Sequence, residues 1–286
     1  MKFNKGRIFW FCLLCFAFFI LAACTLATTK LFEIPERNYG LETWERVIID
    51  LPSGSVEIIY SNINHVILSG LFPENLGDGL VVEENDSGLS IHLSDQAQGM
   101  KRSLLNQVSL KITVPIQTHV EISTFDASVS ATGAGADLSI TSVGGAVSIH
   151  VVEGKTLVKA NRGAVSINNS SGSFAVFGNY GAITFSQVTG EITSSTIMGQ
   201  ISYLGEPAVG DRIHFETDHG PVALTVPLSA NLAVAMSSVS GEVTCIFPGL
   251  ENSSRSCQGV LGLGQVDLFV RTVSGKVTLQ HGALTQ

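Results

Sequence analysis

Charge is scarce in this chain of 286 residues. Only 14% are Asp, Glu, Lys or Arg, and 16 basic residues against 24 acidic ones leave a formal charge of −8. That balance argues against nucleic acid or an anionic lipid surface as partner, because both need a basic face. Aspartate is absent between Gly145 and Gly199. Calcium-binding repeats with a nine-residue glycine period need an Asp in each turn, so a repeated calcium site is excluded. There is no Cys-x-x-Cys for thiol chemistry, no Gly-x-Ser-x-Gly elbow with a matching Asp and His, and no glycine-rich phosphate loop before a helix. Runs of strong helix formers are also missing, while Gly, Ser, Thr, Val and Ile abound, which points to an all-β chain.

Long apolar runs are missing too, with one exception. Ile8 to Ala23 is unbroken and follows Lys2, Lys5 and Arg7, the layout of a secretory signal. It ends in Leu21-Ala22-Ala23-Cys24, which resembles the bacterial lipobox. The expected organisation is a lipoprotein signal peptide over residues 1–23 and a tether over residues 24–44 with lipid on Cys24. Thr25-Leu26-Ala27 lengthens the apolar stretch toward the roughly 20 residues that span a bilayer, so an uncleaved transmembrane anchor is the alternative. Either anchor places the remainder in the bacterial cell envelope, on the extracytoplasmic face. Cys12 and Cys15 leave with the signal, and Cys245 and Cys257 remain. An even pair in an exported domain predicts a disulfide, worth about 3 kcal/mol in the chain-entropy account.

What is plentiful is glycine at a fixed interval. Gly145, Gly154, Gly163, Gly172, Gly181, Gly190 and Gly199 are nine residues apart, and most precede an alternating strand such as Val147-Ser148-Ile149 or Val165-Ser166-Ile167. Period two puts apolar side chains inside and Ser/Thr outside. Each glycine is expected at a corner that needs either positive φ or no Cβ against the neighbouring coil. Next-but-one strands would stack in parallel, giving a β-solenoid or β-roll with about 18 residues per coil. The pattern resumes with longer loops at Gly220, Gly241, Gly264 and Gly275, so residues 124–286 form the repeat region. Residues 45–123 carry differently spaced strands that read as antiparallel hairpins and a meander, a cap continuous with the repeat.

Several segments together resemble a bacterial family of β-strand-repeat envelope proteins catalogued as adhesins, whose domain is otherwise of unknown function. They are Val47-Ile48-Ile49-Asp50-Leu51, Gly54-Ser55-Val56-Glu57-Ile58, Leu110-Lys111-Ile112-Thr113-Val114-Pro115, and units such as Val239-Ser240-Gly241-Glu242-Val243. The resemblance implies an extracytoplasmic β-solenoid, in some members linked to envelope-stress sensing.

The strongest polar cluster is His214-Phe215-Glu216-Thr217-Asp218-His219, where alternation would set His214, Glu216 and Asp218 on one strand face as weak candidates for a metal. A solvated strand face needs no ligand to explain them, so no metal and no cofactor is expected. The reading that follows is a non-enzymatic envelope lipoprotein whose repeat domain is a binding or scaffolding surface. Its partners would be the membrane through lipid and an envelope protein or polysaccharide. The alternatives are an accessory of envelope-stress signalling and, less favoured, a carbohydrate-active β-helix enzyme.

Overall fold

The computed structural model describes residues 30–40, 46–76, 79–85, 88–133 and 135–282. The apolar run, Cys24 and the proposed lipid attachment lie outside the described residues. From Leu31 onward the chain is one compact unit built almost wholly of strands.

The strands are β1 (Leu31–Gly40), β2 (Arg46–Leu51), β3 (Ser55–Ser61), β4 (His65–Pro73), β5 (Leu80–Asn85), β6 (Gly88–Leu93), β7 (Ser109–Pro115), β8 (His119–Thr124), β9 (Ser128–Thr132), β10 (Leu138–Ser142), β11 (Val147–His150) and β12 (Glu153–Ala160). There follow β13 (Val165–Gly178), β14 (Ile183–Thr196), β15 (Ile201–Leu204), β16 (Arg212–Thr217), β17 (Val222–Val226), β18 (Leu232–Ser238), β19 (Val243–Cys245), β20 (Glu251–Asn252), β21 (Ser256–Val260), β22 (Val266–Thr272) and β23 (Val277–His281).

Pairing runs in two ladders. Ladder A stacks β8, β10, β12, the second half of β13, the second half of β14, and β16, all parallel. Ladder B stacks β9, β11, the first halves of β13 and β14, β15 and β17, again parallel. Val120 pairs with Leu138, Leu138 with Thr156, Val147 with Val165 and Val165 with Ile183, each partner eighteen positions on. Two nine-residue units therefore separate residues stacked on one another, and the chain winds from ladder to ladder as a solenoid-like coil.

The interior follows from alternation. Inward columns are almost entirely aliphatic or aromatic, such as Val129, Val147, Val165, Ile183, Ile201 and Val222, all nearly free of solvent. Each such side chain contributes about 1.5–3 kcal/mol by burial. Thr156 and Ser194 also point inward, and their hydroxyls have no hydrogen-bond partner.

At both ends the spatial order departs from chain order. β2 and β3 lie beside β8 and β9, while β6 and β7, later in the chain, pack outside them. At the other end β22 and β23 insert between β16–β17 and β18–β19. The expected N-terminal meander is corrected accordingly: β2, β3, β6 and β7 are parallel members of the coil. Only β4, β5 and β1 add antiparallel edges. Period-two alternation is identical in parallel and antiparallel strands, so it does not reveal the partner. The connection from β6 to β7, with its single-turn helices Asp95–Gln98 and Arg102–Leu105, is an enlarged corner that takes the chain from one ladder to the other.

Part of the segment expected as a tether, residues 24–44, is a strand: β1 occupies Leu31–Gly40 and pairs with β4. Pro35, Glu33, Glu36 and Arg37 on this outermost strand blunt it against pairing with another chain. The opposite end is closed by β21, antiparallel to β18.

Candidate functional site

The glycines sort into two columns: both bring backbone close to the next coil, and only one also takes a positive φ. Gly163 does not have a left-handed backbone. A Cβ there would stand 2.7 Å from the carbonyl carbon of Gly145, with the oxygen closer still, and Gly181 meets Gly163 in the same way. Gly145, Gly199, Gly220, Gly275 and Gly241 continue this column of close approach. Positive φ is therefore not the reason for glycine at this corner. It belongs to the other corner, at Gly154, Gly172 and Gly190, with φ of 131°, 134° and 109°.

The first corner has a signature that sequence reasoning missed. At five of its seven glycines, though not at Gly163 (Ala160) or Gly181 (Gly178), a buried Ser or Thr lies three residues earlier and its hydroxyl closes the turn. Thr196, Thr217, Thr272 and Ser238 accept from the N–H of Gly199, Gly220, Gly275 and Gly241, and Ser142 donates to the carbonyl of Gly145. The Ser/Thr-x-x-Gly spacing was visible in the sequence. The second corner carries non-glycine residues in the left-handed region: Val151 (φ 52°), Asn169 (φ 48°) and Gln187 (φ 55°), spaced by eighteen. Val is the costliest there, because its branched Cβ crowds the backbone.

The two outer surfaces differ. On ladder B the central outward row from β9 to β19 is Ser130, Ser148, Ser166, Thr184, Ser202, Ala223, Thr278 and Thr244, small and uncharged, and it turns charged only at the N-terminal end, at Glu57 and Lys111. Ladder A is mixed, with Lys159, Phe177, Ser195, Glu216 and Arg271 following one another in a single outward row. Phe177 (40%) and Phe269 (38%) are exposed there. Near the N-terminal end Arg46 pairs with Glu121 across neighbouring strands.

The predicted polar cluster is only partly assembled. His214 and Glu216 share the outer face of β16, with Nε2 3.2 Å from a Glu216 carboxylate oxygen. The His214 ring also packs on Phe269 at 4.6 Å between centroids. Asp218 lies beyond the strand end, in the turn, and not on the strand face that alternation assigned to it. Among the described residues no three His, Cys, Asp or Glu side chains are grouped to hold a metal ion. Glu216 and Asp218 instead line a groove of about 330 Å³ together with Phe177, Asn179, Ser195 and Ile197, over a floor that includes Thr196 and Thr217. One turn residue makes an unforeseen contact: His219 Nδ1 lies 2.8 Å from Ser274 Oγ. Both are exposed, and among the described residues no carboxylate orients the imidazole as acyl-transfer chemistry would require.

Burial raises the pKa of Tyr60 and of Tyr203, the latter aided by the Asp211 carboxylate. Tyr203 donates to the Val188 carbonyl at 3.0 Å. Lys276, 3.0 Å away, holds the Glu242 carboxyl below its ordinary range. Cys245 of β19 and Cys257 of β21 are joined by a disulfide that ties the two ladders together at the C-terminal end.

Parallel ladders stacked at eighteen residues, glycine corners and an aliphatic interior define an all-β, solenoid-like repeat protein. The chain belongs to the Toastrack DUF4097 family, whose sequence profile matches residues 44–280. Among solved structures it is similar to a "putative adhesin" from Parabacteroides merdae, at 13% identity over 90% of this chain and 98% of that one, TM-score 0.40. A second, from Bacteroides fragilis and described in the same words, shows 12% identity over 88% and 97%, TM-score 0.37. No curated protein matches the chain. Among the described residues no helix is long and apolar enough to cross a membrane, which leaves strand-built membrane proteins out of account.

Proposed function

We propose that this chain is a non-enzymatic protein of the bacterial cell envelope, lipid-anchored through Cys24, whose coil displays ladder A as an adhesin-like binding surface. The observation that carries the reading is the outward row Lys159, Phe177, Ser195, Glu216, Arg271. It sets donors, acceptors and an exposed aromatic ring at strand spacing along a rigid face, and that spacing suits a long partner held by many weak contacts. A disulfide and parallel pairing give the rigidity.

Two measurements test this. Full-length protein immobilised on a support is challenged with cell-envelope fragments and with purified polysaccharides. Saturable retention that falls when Lys159 and Arg271 are both replaced by Glu, with unchanged thermal unfolding, supports the surface. Retention equal to that of an unrelated protein overturns it. Labelled fatty acid should be incorporated by the wild type and lost in Cys24→Ser. Equal incorporation in both removes the anchor from the account.

A further inference from the structure

On the basis of that binding-surface reading, we propose that the groove between Phe177 and Glu216 is a carbohydrate subsite. It seats a sugar ring of a neutral polysaccharide. The groove exists because Ser195, a small residue, lies between two larger ones on adjacent strands: Phe177 pairs with Ser195 and Ser195 with Glu216. Two strand spacings separate the walls, about 9–10 Å. The opening is thus a slot with an aromatic wall on one side and a carboxylate wall on the other.

Its chemistry matches a polyhydroxyl ligand. Phe177 is 40% exposed and Ile197 43%, so the slot offers apolar surface to the C–H face of a pyranose. Glu216 spends one oxygen on His214 Nε2 and keeps the other as acceptor. Asp218 adds acceptors at the slot's turn end, so adjacent hydroxyls can be met together. Donors come from the ends of the row, Lys159 beside Phe177 and Arg271 beside Glu216.

A cationic amine would use the carboxylates and the ring but would be opposed by Lys159 and Arg271. A neutral sugar uses all of them. The neighbouring aromatic, Phe269, lies on the same outer face two strands beyond Ser195, offset toward the strand's interior. A chain of sugars running across the strands can therefore meet a second ring.

The test uses the full-length chain in detergent and an array of neutral oligosaccharides, together with a lysine-rich peptide as cationic probe. Wild type should be retained by at least one oligosaccharide. Phe177→Ala and Glu216→Gln should each weaken that retention about tenfold, the size of one lost stacking or charge-assisted contact. Ser148→Lys on ladder B should leave it unchanged. Because Phe177 and Glu216 are outward, both variants should unfold at the wild-type temperature, so lost binding is not lost folding. Unchanged oligosaccharide retention in Phe177→Ala overturns the subsite, as does preference for the lysine-rich peptide. If envelope fragments are still retained in that case, the surface reading stands and only the subsite fails.

Discussion

Replacing Gly163 by Ala adds one methyl group, and its effect can be worked out from the corner. The new Cβ would lie 2.7 Å from the Gly145 carbonyl carbon, against an ordinary separation of about 3.5–4.0 Å. The coils must part by about 1 Å at that point. The nearest bonds between these two coils, Val147 N–H to the Ala164 carbonyl and Arg162 N–H to the Val143 carbonyl, are both 2.8 Å and cannot stretch so far without weakening. Two buried backbone bonds at about 1–2 kcal/mol each give a loss of about 2–4 kcal/mol, reduced by the ~0.4–1 kcal/mol that Gly→Ala gains through the unfolded chain. Gly40 serves as control, with nothing within 4 Å of its Cβ position, so Gly40→Ala should be neutral or slightly stabilising. Thermal unfolding followed by circular dichroism should show Gly163→Ala lower by about 5–10 °C. Equal melting of the two variants would refute the close-approach explanation.

Val151→Asn should raise stability by about 1 kcal/mol, since Asn tolerates the left-handed backbone that Val151 holds at φ 52°. Denaturant unfolding checks it, and a loss of stability would mean the Val side chain matters more than its backbone. Thr156→Val replaces an unpartnered interior hydroxyl by an isosteric methyl and should stabilise by about 1 kcal/mol; a decrease would show the hydroxyl to be satisfied. In alkali, Tyr60 and Tyr203 hold their protons in the fold, while in the unfolded chain they ionise near pH 10. Folding stability is therefore complete below about pH 10 and falls as pH rises above it. A tyrosinate titration should find two of the four tyrosines ionising only with unfolding; four ionising together in the folded state would contradict their burial.

The all-β class and the corner glycines were legible because a nine-residue period imposes itself on every coil. The end exchanges were not legible: β2 and β6 alternate as β8 does, and neither partner nor direction is written into a period of two. The reason for glycine was only half legible, since Gly163 and Gly172 look alike in sequence and both lie against a neighbouring carbonyl, while only Gly172 also takes a positive φ. The cluster at His214 was found as residues but not as geometry. Strand β16 ends at Thr217, so Asp218 lies outside the strand and lines the groove with Glu216. Phe177 drew no notice in the sequence as a site residue, because an aromatic in an alternating strand reads as core. Its register puts it outside, between Lys159 and Ser195.

The binding reading rests on outward rows held at strand spacing through a stack whose order at the C-terminal end is exchanged. The direct measurement is the pair of distances from a spin label at Ser130 to labels at Thr278 and at Thr244. Six strand spacings separate the first pair and seven the second, about 29 Å and 34 Å, since β23 lies inside β19 in the stack. The shorter distance to Thr278, later in the chain, is the predicted result. A shorter distance to Thr244, or distances that do not scale with strand spacing, would contradict the ordered face on which the account depends.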